Sequence, residues 1–154
     1  MQTHFTDAQR AAPAIQRSES AIRKCVHCGF CTATCPTYVL LGDERDSPRG
    51  RIALIQNMLE AGGTPDAATV RHVDRCLSCL ACTTTCPAGV DYAQLIDHGR
   101  AYIAENYQRP WHDRLMRWTL GAVLPHRDRF RAALALAPLG RLVQPLLART
   151  AATR

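Results

Sequence analysis

Two twelve-residue stretches, CVHCGFCTATCP at positions 25–36 and CLSCLACTTTCP at 76–87, share one layout of four cysteines and a closing proline, and together they hold all eight cysteines of the 154-residue chain. Four thiols packed twice into so short a stretch must converge on something, and any fold for this chain has to accommodate that. At about 5% of residues, the cysteine density is below that of disulfide-built secreted scaffolds, which are also much shorter. The opening segment, MQTHFTDAQRAAPAIQRSES, has no basic stretch leading into an apolar run and no small-residue cleavage site, so no export signal is read there. Proline or arginine interrupts every apolar run before it reaches the roughly 20 residues a membrane span needs. The chain is therefore expected in the cytoplasm, where thiols stay reduced and clustered cysteines mean metal or redox chemistry.

Each block reads C-x2-C-x2-C-x3-C-P, the spacing with which bacterial ferredoxins hold iron–sulfur clusters. Three thiolates at two-residue intervals on one tight loop can reach three irons of one cube, whereas the fourth cysteine is carried away by the helix expected after its proline and serves the other cube. The spacing thus predicts two [4Fe-4S] clusters, one on Cys25, Cys28, Cys31 and Cys86 and the other on Cys76, Cys79, Cys82 and Cys35. Zinc would leave the third cysteine of each block without a role, and a disulfide framework needs an oxidising compartment that nothing indicates. Pro36 and Pro87 are read as first residues of helices, and Gly29, Ala33 and Ala81 as small residues suited to packing against a cluster. His27 lies between two ligands, but the cysteine set is complete without it, so it is read as a neighbouring or surface residue. His72, His98, His112 and His126 have no spacing to a carboxylate or another histidine that suggests a site. No Ser/His/Asp set, phosphate loop or G-x-G-x-x-G is present, so no catalytic residue is assigned.

The rest reads as an all-α chain with a ferredoxin-like two-cluster domain over 1–108 and a basic helical tail over 109–154. A helix is expected over 5–22 with Thr6 as its cap. LLGDERDSPRG reads as a loop ending in a helix started by Ser47 and Pro48, carrying Ile52, Ile55 and Leu59 and stopped by Gly62 and Gly63. A shorter helix from Asp66 turns Val70 and Val73 inward. After a turn at Gly89, a helix over 91–107 presents Tyr92, Leu95, Ile96, Ile103 and Tyr107. Pro110, Pro125, Pro138 and Pro145 cut the tail into short helices, one with Trp111, Leu115, Trp118 and Ala122 on a stripe beside Arg114 and Arg117. That stripe is expected to pack on the domain; the alternative is a docking or membrane-surface element.

Charge divides the chain in the same place. Residues 1–108 hold ten Lys+Arg against eleven Asp+Glu, and 109–154 hold nine arginines against two aspartates. Eight thiolates and two oxidised cores add about −4 to the first part. Arg49 and Arg51 fall in the first turn of a helix, where a cation opposes the macrodipole by about 0.3–1 kcal/mol. Arg51 is read either as lying near an anionic cluster, whose potential it raises, or, with Arg49, as simply reaching solvent.

The segments KCVHCGFCTATCPTYVLLGDERDSPRGRI and HVDRCLSCLACTTTCPAGVDY resemble the N-terminal part of glycolate oxidase iron-sulfur subunits. The likeness runs from residue 1 to about 130, and LLGDERDSPRGRI is more telling than the cysteines, which many ferredoxin-like subunits share. The resemblance implies an electron-transfer subunit of a bacterial glycolate dehydrogenase, an oxidoreductase complex. In it a separate FAD-binding subunit oxidises glycolate to glyoxylate, and electrons pass toward the quinone pool directly or through another component. The eight cysteines are the residues it implies as ligands. Members of the family continue well beyond this length with cysteine-rich repeats, so the tail is read as a linker to such a half, with peripheral contact at the cytoplasmic face of the inner membrane through its basic residues. An equivalent subunit of a glycerol-3-phosphate or lactate dehydrogenase is the alternative within the class. A nucleic-acid-binding protein with structural clusters is the alternative outside it; nucleic acid is not expected, because basic residues near the clusters and stacking aromatics are both few.

Overall fold

Helices begin where a short polar side chain or a proline can begin them, and the computed structural model, which describes residues 1–135 and 138, shows this at most starts. Thr6 opens α1 (Asp7–Arg10) through a reciprocal capping box with Gln9. The single helix expected over 5–22 is broken, and α2 runs separately from Pro13–Lys24. Pro13 has no N–H to continue α1, and it holds Ala12 extended at φ −82°, ψ 121°. Pro36 starts α3 (Pro36–Leu41), which ends on left-handed Gly42. The expected loop at 40–47 is accordingly more ordered than read: its two leucines belong to α3, and Glu44–Asp46 form a 3-10 turn opened by Asp43. Ser47 then caps α4 (Pro48–Ala61) and Gly62 closes it, as expected. Asp66 accepts from the amides of Ala68 and Thr69 to start α5 (Ala67–Asp74). After α6 (Ala81–Thr85), Asp91 caps α7 (Tyr92–Asn106). Pro87 does not start a helix: it lies in a turn directly after α6.

The chain divides into two units, Met1–Gln108 and Arg109–Arg154. In the first, α4 and α7 pack on each other and both receive α2 and α5. Ile22, Ile55, Leu59, Val73, Leu95, Ile96 and Ile103 are buried there, joined by Ile52 and Val70. Full burial of each such side chain stabilises by about 1.5–3 kcal/mol. The α4–α7 approach depends on Gly99, where a Cβ would lie 3.0 Å from Ile55 Cδ1; hydrophobic periodicity gives no sign of this. Gln9 fastens the N-terminal segment by donating to the carbonyls of Leu59 and Glu60, two of the unpaired acceptors at the end of α4.

In the second unit, α8 (Trp111–Val123) follows Pro110, and the backbone is helical again over 127–135. Trp111 and Trp118 are 75% and 69% exposed and Leu115 is exposed too, so the stripe is not buried within its own unit. Pro145 and the break expected there lie outside the described residues. Among the described residues no helix is long and apolar enough to cross a membrane.

Candidate metal centre

The two cysteine blocks fold alike, atom for atom in places. In each, the backbone turns left-handed at the third and fifth positions, at His27 (φ 59°) and Gly29 (φ 88°) and at Ser78 (φ 51°) and Leu80 (φ 57°). A left-handed residue other than glycine costs roughly 1–2 kcal/mol, and strain of this kind persists where the surroundings over-determine it. In both blocks a threonine then locks the turn: Thr32 Oγ1 donates to the Gly29 carbonyl and Thr83 Oγ1 to the Leu80 carbonyl, each at 2.6 Å. An arginine from a core helix ties each loop down. Arg49 of α4 donates to the His27 carbonyl at 3.4 Å and pairs with Glu44. Arg100 of α7 donates to Ser78 Oγ at 2.6 Å and to the Cys76 carbonyl. Gly29 is favoured here by its φ of 88°, which side chains rarely adopt, whereas the Arg49 Nη1 that a Cβ would approach to 2.7 Å is the free end of a flexible side chain and could yield.

Two cavities result. Cys25, Cys28, Cys31 and Cys86 line the first, with Cys82 in its wall; Cys35, Cys76, Cys79 and Cys82 line the second. Each cavity thus gathers three sulfurs of one block and the last sulfur of the other. All eight thiols are free; Cys28 and Cys79, the second of each block, are exposed, whereas Cys25, Cys35 and Cys82 are buried. Among the described residues no carboxylate lines either cavity. Soft thiolates in sets of four, with apolar walls and no competing oxygen anion, fit iron–sulfur clusters.

Without metal, these sulfurs oppose one another. Burial, followed by the neighbouring Cys31 and Cys76, pushes the Cys82 thiol up to about 12. Burial likewise raises Cys31. Four thiolates side by side therefore call for bound cationic metal. Cys35 differs: burial would raise it too, but the Thr37 hydroxyl, the Tyr38 amide and Arg51 together hold it below the ordinary thiol range. Burial, and then Cys76, keep the Tyr92 phenol protonated well above its usual range; its oxygen is 3.6 Å from Cys76 Sγ.

Arg51 does not reach solvent; it is 1% exposed. Its Nη1 is 3.7 Å from Cys35 Sγ, its Nε donates to the His72 carbonyl at 2.7 Å, and its Nη2 donates to Thr37 Oγ1 at 3.0 Å and Asp46 Oδ1 at 3.3 Å. Asp46 is fully buried and also meets His72 Nδ1 at 2.9 Å and Arg75 Nη1 at 3.1 Å. His72 therefore does have a carboxylate partner, one that sequence spacing could not reveal across 26 residues. Asp43, Asp46 and His72 stand close enough together to suggest a cation site, but two guanidiniums already occupy the Asp46 carboxylate. The other histidines are ordinary: His27 is exposed, His98 Nδ1 meets Ser18 Oγ at 2.6 Å, His112 sits edge-on to Trp111, and His126 is exposed.

Residues 21–90 match the family model of the 4Fe-4S dicluster domain, so that segment is of the two-cluster iron–sulfur class. More particularly, the chain is similar to the glycolate oxidase iron-sulfur subunit of Escherichia coli (strain K12), at 48% identity over 96% of its length, and to the probable glycolate oxidase iron-sulfur subunit of Bacillus subtilis (strain 168), at 40% over 77%. It spans 35% and 27% of the lengths of those two proteins. A more distant likeness, 26% over 80% of the chain and 75% of the relative, links it to one of the subunits of the ferredoxin:CoB-CoM heterodisulfide reductase of Methanosarcina mazei. No solved structure matches significantly. The resemblance, the helical class and the two [4Fe-4S] clusters expected from sequence are all borne out.

Proposed function

We propose that this chain is the electron-relay part of a glycolate oxidase complex, with Cys25, Cys28, Cys31 and Cys86 holding one cluster and Cys76, Cys79, Cys82 and Cys35 the other. The crossed lining of the two cavities carries the reading. Each cluster, when bound, takes up and gives back one electron at a time. The chain supplies the four thiolates for each, the apolar walls that limit water, and a shared boundary at Cys82. Oxidation of glycolate to glyoxylate at a partner FAD subunit releases two electrons and two protons. This chain would carry only the electrons, toward a quinone that takes up two of each, either directly or through another component.

Partners are expected at the cavity mouths, where exposed Cys28 and Cys79 are flanked by exposed Val26 and Phe30 on one loop and Leu77 and Leu80 on the other. The exposed tryptophans of α8, beside Arg114 and Arg117, suit docking on a partner subunit or the anionic cytoplasmic face of the membrane. Deleting 109–122 is expected to release the chain from both partner and vesicle; retention on both would reject that role.

Anaerobically prepared chain is expected to contain eight irons and to give paramagnetic signals with dithionite. The crossing has its own test in paired variants. Cys28→Ser with Cys86→Ser removes two ligands of one cluster and should lose no more iron than either change alone. Cys28→Ser with Cys35→Ser should lose both clusters. The reverse pattern would show that each block keeps its own fourth cysteine.

A further inference from the structure

Cys35 has surroundings that its counterpart Cys86 lacks. Its sulfur is 3.7 Å from a buried guanidinium and 3.2 Å from the Thr37 hydroxyl, and a second sulfur of the same cavity, on Cys76, is 3.6 Å from the Tyr92 hydroxyl. Among the described residues no side-chain donor is placed on a sulfur of Cys25, Cys28, Cys31 or Cys86. The arginine at the other cavity, Arg49, is 29% exposed and matched by Glu44, which leaves no net charge. Around Cys35 the count differs: Arg51 and Arg75 face the carboxylate of Asp46, and nearby Asp43 is itself paired with Arg45, so guanidiniums outnumber carboxylates by one.

We propose that Arg51, held in place by Asp46, makes the site bearing Cys35 the higher-potential of the two, so that an electron shared between them rests there. The proposal builds on the two-cluster reading above. An added electron makes a thiolate-ligated site more negative, and a fixed positive charge in a water-poor setting favours the more negative form. Hydrogen bonds to the sulfurs act in the same direction. The exchange is one electron: the site bearing Cys86 is oxidised as the site bearing Cys35 is reduced, with no proton and no further reagent. Arg51 is thereby a positioning and tuning residue for electron transfer, and the charge beneath it, Asp46, works against it.

The test is an anaerobic redox titration of the full chain with both clusters in place, followed by electron paramagnetic resonance. Two midpoints are expected. Arg51→Gln should lower the upper one by at least tenfold in the exchange constant, about 59 mV for one electron, and leave the lower one in place; Arg51→Lys should restore most of it. Asp46→Asn, which removes the opposing charge, should move the upper midpoint the other way. Arg75→Gln should lower it by less than Arg51→Gln, because that side chain is 44% exposed. Should Arg51→Gln fail to assemble, the opposite signs for Asp46→Asn and Arg75→Gln still decide. Variants that retain eight irons but shift both midpoints together, move the upper midpoint the same way for Asp46→Asn as for Arg75→Gln, or do not shift at all would overturn the proposal. Fewer than eight irons in the unaltered chain would instead overturn the two-cluster reading.

Discussion

Gly50 shows how closely the segment DSPRGR is specified. A Cβ there would stand 2.0 Å from the Glu44 carbonyl oxygen, so the first turn of α4 can lie on the 3-10 turn only if this residue has no side chain. Its amide also completes the Ser47 cap at 3.0 Å. Gly50→Ala is expected to destabilise the cluster-loaded protein by about 3 kcal/mol, read as a lower denaturant midpoint at unchanged slope; a loss under about 0.5 kcal/mol, the range of an unremarkable surface change, would mean that the two turns can separate freely. Arg51, one residue on, explains why a cation is tolerated in that turn. The macrodipole penalty of about 0.3–1 kcal/mol is small beside what removal of one member of a buried charge pair costs, about 3–5 kcal/mol.

Among the elements, α2 and α7 meet through a contact whose pH response can be worked out. Burial, followed by the charge of Arg17, holds His98 below the ordinary imidazole range, and its Nδ1 faces Ser18 Oγ. The unfolded chain therefore takes up the proton first. The stability contributed by this group is complete above the unfolded value of about 6.5 and is lost as pH falls from there through the lower folded value. His98→Gln should flatten the fall in melting temperature between about pH 6.5 and 5 relative to the unaltered protein, and equal slopes would dismiss the linkage. The cysteine loops are a second lesson at this scale. The spacing of the blocks announces two equivalent turns, but Arg49 and Arg100, which fasten them, come from α4 and α7 and occupy unrelated places in the sequence.

Taken whole, the first unit has a core drawn mainly from aliphatic side chains of four helices, with the two cysteine loops fastened to it by arginines and turns. Ligation closes what that core does not, and the buried thiols, with Cys82 held up to about 12, do not become thiolates together without metal. Removing iron with a chelator under reducing conditions is expected to unfold residues 25–90, seen as a large loss of helical circular dichroism that returns on reconstitution. An apo form with full helicity would show that the helices stand alone. Metal also changes the electrostatics, because the eight-thiolate unit becomes acidic while the unit from Arg109 onward stays basic.

Spacing alone determined the proposed ligand set, the cluster type and the helix starts at Ser47, Asp66 and Asp91, because each depends on residues within a few positions of one another. The broken helix at Pro13 was legible in principle, since a proline's missing donor is a local fact. What the tertiary structure decided was everything that joins distant segments through burial. It gave His72 a partner in Asp46, placed Arg51 on Cys35 and brought Gly99 against Ile55. The physical reason is one of range: caps and cysteine spacings act over a few residues, whereas the charge balance inside a dry cavity depends on which helices converge there.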